Sequence, residues 1–157
     1  MFETAAHAFY VFFIATLPIL ELRASIPIGY GLGMPWLETY LISVAGNMLP
    51  VPFILLFIRT LLKWMKKNVR LSKIAFWIER VAHNKSERVL KYASFGLFLF
   101  VAVPLPGTGA WTGALIAAML DMRMKFALPS ILAGVLAAGF IVSGICYGFF
   151  GAMNFLL

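Results

Sequence analysis

Charge is what this chain has least of. Asp, Glu, Lys and Arg make up 12% of its 157 residues, where a soluble domain carries about a quarter. Hydrophobic residues make up 62%, and the mean hydropathy is +0.94. Such a chain cannot wrap its core in a polar surface, so it reads as a single integral membrane domain over residues 1–157. Cysteine is nearly absent. The lone Cys146 excludes an intrachain disulfide and any CxxC metal or redox spacing, and in an apolar run it reads as a packing residue. Histidine is scarce too: His7 and His83 both fall outside the apolar segments. With no metal-ligand spacing and no nucleophile–base pair to place, the expectation is a protein that is not an enzyme and needs no cofactor or metal.

Basic charge is present but clustered. Ten of the thirteen Lys and Arg residues lie between Arg59 and Lys91, against only Glu79 and Glu87. In a soluble protein this would point to nucleic acid. In a membrane chain the positive-inside rule accounts for it, which places 59–91 on the cytoplasmic side. Within it, Ile74, Trp77, Ile78 and Val81 recur at helical spacing with Lys73, Glu79 and Arg80 off the stripe. That pattern reads as an amphipathic helix on the membrane surface or as a solvated loop helix.

Two apolar stretches are long enough to cross a bilayer, 39–58 and 126–150. Others are broken. Residues 8–35 carry Pro18, Glu21, Arg23 and Pro27, then Gly29, Gly31 and Gly33. Residues 92–120 carry Pro104, Pro106, Gly107 and Gly109. Lipid tolerates a bare charge or broken helix only where protein or water covers it. Each broken stretch therefore reads as a re-entrant helical hairpin, the first turning near Glu21–Pro27. In the competing reading, residues 4–20 span and Glu21 and Arg23 sit among the headgroups. Asn47 within the first span should face inward, and Pro50 and Pro52 should loosen that helix and free carbonyls. Gly144 and Gly148 are spaced for close helix packing.

The halves repeat. Pro18 to Met34 aligns with Pro104 to Leu120 at an offset of 86, matching Ala24 to Ala110; after a two-residue insertion Ala45-Gly46 aligns with Ala133-Gly134. The first half (1–62) and the second (92–157) flank the basic segment 63–91. The charge rule gives them opposite orientation, with both termini outside. The expected fold is all-α: an inverted-topology repeat of hairpin plus span, with a cytoplasmic amphipathic helix. Paired interrupted segments of this kind mark a transporter site near the midplane. Arg23 suits an anionic group. Glu21 is a proton-exchange candidate, since burial favours its neutral form and Arg23 its charged form. Thr108, Trp111 and Thr112 are lining candidates on the second tip.

Three segments carry a resemblance: Glu21-Leu22-Arg23-Ala24-Ser25-Ile26-Pro27, Gly46-Asn47-Met48-Leu49-Pro50-Val51-Pro52, and Pro104-Leu105-Pro106-Gly107-Thr108-Gly109-Ala110-Trp111. In them the chain resembles the small multidrug-export protein family, and more distantly the DedA-like membrane proteins. The first resemblance implies export of small toxic compounds from a prokaryotic cytoplasmic membrane. The second implies proton-dependent movement of a lipid phosphate such as a polyprenyl phosphate, with an acid and an arginine at the hairpin tips. The second hairpin departs from that pattern, having no arginine between Pro104 and Gly113. The expected partners are membrane lipids, a small amphipathic or lipid-phosphate substrate and a second copy of the chain, and no nucleic acid. A membrane scaffold without transport is the reading from another class.

Overall fold

The computed structural model describes residues 2–67, 87–105 and 107–149. Among the described residues seven α-helices run in order: α1 Phe2–Thr16, α2 Glu21–Gly31, α3 Trp36–Met48, α4 Pro50–Lys67, α5 Glu87–Ala102, α6 Ala110–Met119 and α7 Met124–Ser143. A π-helical segment, Gly144–Phe149, extends α7. The stripe Ile74–Val81 and His83 lie outside the described residues, as does Pro106.

Two helical runs are long and apolar enough to cross a membrane, Trp36–Ile58 and Met124–Gly148. Fewer than half of the residues in each are buried, unlike the core helix of a soluble protein. Phe9, Phe13, Phe53, Phe57, Phe95 and Phe140 all face outward, each more than half exposed. Apolar surface on this scale belongs against lipid. The remaining apolar helices are short: α2 has 11 residues and α6 has 10, about 15–17 Å at 1.5 Å per residue, half a bilayer core.

The first long run bends where its sequence says it must. Pro50 lacks an N–H and its ring crowds the carbonyl of Gly46, so α3 ends at Met48 and α4 starts at Pro50. The freed Gly46 carbonyl lies 3.3 Å from the Thr16 hydroxyl of α1. The helices touch closely there: a Cβ on Gly46 would collide with the Phe12 carbonyl and Ala15. The second half does the same, since a Cβ on Gly134 would collide with the Phe98 carbonyl and Val101.

The corner after each short helix is also built twice. After α2, Met34 N–H bonds Gly29 O and Gly33 N–H bonds Tyr30 O; after α6, Met122 N–H bonds Ala117 O and Asp121 N–H bonds Ala118 O. This is the Schellman arrangement, and its left-handed residue is Gly33 (φ 71°) in one and Asp121 (φ 49°) in the other. Pro35 and Arg123 then open α3 and α7 with nearly identical backbone angles. All these pairs stand 88 apart, while Phe12/Phe98 and Ala15/Val101 stand 86 apart. The two extra residues therefore fall in the tip itself, before α6, and not after it. Ala110 corresponds to Leu22 rather than to Ala24, and Glu21 corresponds to Gly109.

The turn of the first hairpin also differs from expectation. It occupies residues 17–20, and Glu21–Pro27 belong to α2. Glu21 itself takes a left-handed conformation (φ 49°) to start that helix. Pro27 sits exposed inside α2 and is not a tip residue; its missing N–H leaves the Arg23 carbonyl without its helical donor.

Within each half the short helix and the helix before it pack on each other and on the long helix: α1 and α2 on α3, α5 and α6 on α7. The halves then cross: α4 packs on α6, and the π-helical segment packs on α2. The shared core joins Leu22 and Ile26 of α2, Val51 and Leu55 of α4, Val101 of α5, four alanines of α6 and Ile131 and Val135 of α7. Cys146 is buried in it, as expected of a packing residue. Gly144 and Gly148 are different: a Cβ on either would meet nothing. The close contact their spacing offers is not made among the described residues.

Candidate functional site

The two tips interlock. Helix α6 begins at Gly109, which has no side chain to cap it (φ 132°). A helix start leaves N–H groups without partners and carries a partial positive charge. Glu21, from the other half, fills the gap. Its carboxylate is buried and accepts the Trp111 N–H at 3.2 Å. It lies so close over Gly109 that a Cβ there would land on it. Glycine is required at 109 twice over, by backbone conformation and by this approach.

Arg23, half-buried one half-turn further along α2, reaches the same loop. Its guanidinium donates to the carbonyls of Leu105 and Thr108, and to the Thr108 hydroxyl at 2.7 Å. Thr108 in turn ties the loop together. Its hydroxyl donates to the Val103 carbonyl at 2.7 Å and accepts the Leu105 N–H at 3.3 Å. The reverse clasp comes from Trp111, whose indole N–H donates to the Thr16 carbonyl at 3.0 Å, at the end of α1. Trp111 occupies in α6 the place of Arg23 in α2. Arg23 thus bonds carbonyls of the second tip, and Trp111, a neutral donor, bonds a carbonyl at the end of α1.

The structure therefore brings Glu21, Arg23, Gly109, Thr108 and Trp111 into one cluster. Pro18 and Gly107 are exposed in the two tip loops, Gly107 with φ 85°. Pro104 is half-buried beside Leu105. Thr112 is half-buried on α6 and takes no part in the clasp. Asn47 faces inward as expected and is fully buried, but neither its Oδ1 nor its Nδ2 has a partner. Among the described residues no group of three or more His, Cys, Asp or Glu side chains could hold a metal ion.

The sequence reading missed several polar groups. Ser25 and Ser43 bond each other at 2.7 Å, both fully buried. Tyr147 O–H lies 2.9 Å from the Thr39 hydroxyl and 3.0 Å from the Met34 carbonyl. Ser143 is buried with its hydroxyl unpartnered. The signal was present: Thr39, Ser43 and Asn47 recur every four residues, one polar face on an apolar helix.

An all-helical bundle with two long apolar spans, lipid-facing phenylalanines and a buried charged clasp is a membrane protein. A family model described as "Putative small multi-drug export protein" matches residues 21–141, and the chain belongs to that family. The matched region starts at Glu21 and holds both sides of the clasp. No curated protein and no solved structure matches the chain.

Proposed function

We propose that this protein is a small secondary exporter that passes an amphipathic or anionic substrate between its two tips, coupled to protons through Glu21. The carrying observation is the reciprocal clasp: a buried carboxylate from one half caps a helix of the other. In this reading α1–α2 and α5–α6 are re-entrant hairpins of opposite orientation that meet near the midplane. The short lengths of α2 and α6 support it, as do the twice-built corner and the basic segment 59–91, assigned to the cytoplasmic side. The clasped arrangement is then the closed state. When the tips part, the Glu21 carboxylate and the Arg23 guanidinium lose their partners together and face the gap. A guanidinium fork suits a carboxylate or phosphate. Arg23 therefore also favours the neighbouring reading, a lipid phosphate as cargo.

The test is flux in liposomes carrying the purified protein, with a pH gradient imposed. Cargo would be a fluorescent lipophilic cation in one series and a fluorescent short-chain lipid phosphate in the other. Glu21→Gln and Arg23→Ala should each reduce transport of the true cargo by about tenfold or more, as expected where a buried charged contact is lost. Transport of neither cargo by the wild-type protein would overturn the exporter reading. Unchanged flux in both variants, with lowered stability, would make the clasp a structural lock and the protein a scaffold.

A further inference from the structure

Helices α2 and α3 face each other through polar residues in antiparallel register. Gly29 touches Thr39, and Ser25 bonds Ser43 one turn away. Asn47 lies one turn further along α3 and Glu21 one turn further along α2. The end of α7 and its extension join this face: Tyr147 bonds Thr39, and Ser143, one turn before Tyr147, is buried with its hydroxyl unpartnered. The result is a ladder of polar groups: the bonded pairs Tyr147/Thr39 and Ser43/Ser25, the unpartnered Ser143 beside them, and Asn47 and Glu21 one turn beyond Ser43 and Ser25 on their own helices. All of its side chains are buried except Tyr147, which is half-buried at the Met34 carbonyl beside the α2–α3 corner.

The fold does not need these polar groups. The same corner in the second half places Gly113, Ala117, Ala127, Ile131 and Val135 at the positions of Ser25, Gly29, Thr39, Ser43 and Asn47, and all five are buried. An apolar version of this packing exists in the same molecule. Polar groups in the first half come at a cost in lipid, where an unpartnered buried group is unfavourable by several kcal/mol. Asn47 and Ser143 are such groups.

We propose that this ladder is a water-bridged proton path from the α2–α3 corner to Glu21. The inference rests on the reading of Glu21 as the proton-exchanging group. Rungs one helical turn apart are about 6 Å apart, the span of one water making two hydrogen bonds of about 2.8 Å. Water also satisfies what Asn47 presents. A bare cation would satisfy its Oδ1 and leave the Nδ2 donors orphaned; a water accepts and donates. Hydroxyls and waters alternating in a chain pass a proton by donating on one side as they accept on the other. No net bond is made or broken, and the proton ends on the Glu21 carboxylate. Arg23 is the charged group beside Glu21. Helix α6 presents the Ala110 and Trp111 N–H groups to Glu21. The other titratable side chains on α2, α3 and α7 with its extension are Tyr30, Glu38, Tyr40, Lys125, Cys146 and Tyr147. Of these, Tyr147 is the one bonded into the ladder.

The experiment is infrared difference spectroscopy on the full chain in liposomes of phosphatidylethanolamine and phosphatidylglycerol, after a pH jump. The carboxyl band lost in Glu21→Gln reports protonation of that side chain. Ser43→Ala and Tyr147→Phe should slow the rise of this band by about tenfold, the effect of one lost hydrogen-bonded link on a barrier, with the final amplitude kept. Ile131→Val, at the matching place in the second half, should leave the rate unchanged. Both Ser43→Ala and Tyr147→Phe are small changes that spare the packing. A wild-type rate in both overturns the path while leaving the exporter reading intact. A spectrum that responds to sodium at constant pH overturns it in favour of a cation site. Absence of any Glu21 band overturns the path and the proton coupling together.

Discussion

Glu21 illustrates how one residue can serve two halves of a chain. It starts its own helix in a left-handed conformation and caps another helix with its carboxylate. A buried charge is tolerable only when hydrogen bonds replace its hydration, and the α6 N-terminus supplies them. Gly109 is what lets the carboxylate reach that terminus. Gly109→Ala should therefore destabilise the protein by about 1–3 kcal/mol, from the strained backbone and the displaced carboxylate together. Thermal unfolding in detergent would measure it, and a neutral result would mean Glu21 has another resting place. Trp111→Phe keeps an aromatic side chain but removes the indole N–H, with its bond to the Thr16 carbonyl, and some of the larger ring's packing. Its expected cost is about 1–3 kcal/mol by the same measurement. Arg23→Lys should fail to restore what Arg23→Ala loses, because a single ammonium cannot serve the Leu105 and Thr108 carbonyls as a fork does.

At the level of elements, the short helices carry the most information. Helices α2 and α6 each start at the opposing tip, end in the same capped corner and pack under a long helix. Neither is long enough to cross a membrane, so how α1–α2 sits decides the functional reading. With Cys146 replaced by alanine, single substitutions Thr4→Cys and Trp36→Cys place thiols at the start of α1 and of α3. Both should react from outside the cell with a membrane-impermeant reagent. Reaction from opposite faces would make residues 4–36 a crossing segment and return Glu21 and Arg23 to the headgroups. The long helices show how composition becomes geometry: Pro50 bends the first, and Gly46 and Gly134 let α1 and α5 approach the long helices closely.

For the whole molecule, two consequences follow. A proton-coupled exporter with a single exchangeable carboxylate at its clasp should lose the pH dependence of its flux in Glu21→Gln, whatever rate remains. Flux measured across a series of external pH values checks this; a retained pH profile would move the coupling elsewhere. The second concerns assembly. Gly144 and Gly148 lie exposed on the π-helical extension with open space above them. If a second copy packs there, Gly148→Leu should abolish dimer cross-linking in membranes while leaving the folded monomer intact, since the new side chain meets nothing among the described residues.

Much of this was readable from composition and period, because those signals are local. Scarce charge and long apolar runs define a membrane chain, and the two spans come from their length alone. Pro18, Glu21, Arg23, Pro104 and Gly109 mark the tips, since lipid makes each of them conspicuous. A like spacing in the two halves was readable as well, but the offset of 86 that holds for Phe12 and Phe98 becomes 88 from Glu21 and Gly109 onward, and the change falls in a tip loop where side-chain pattern carries no register. Folding alone settled who meets whom. Arg23 bonds backbone carbonyls about eighty residues away, and a carbonyl has no signature in the sequence. That Trp111 takes in α6 the place Arg23 has in α2 follows only from the capped corners, which bring positions 23 and 111 into correspondence. The polar face of Thr39, Ser43 and Asn47 was visible as spacing, but that Thr39 meets Gly29 and Ser43 meets Ser25 depends on how two helices dock.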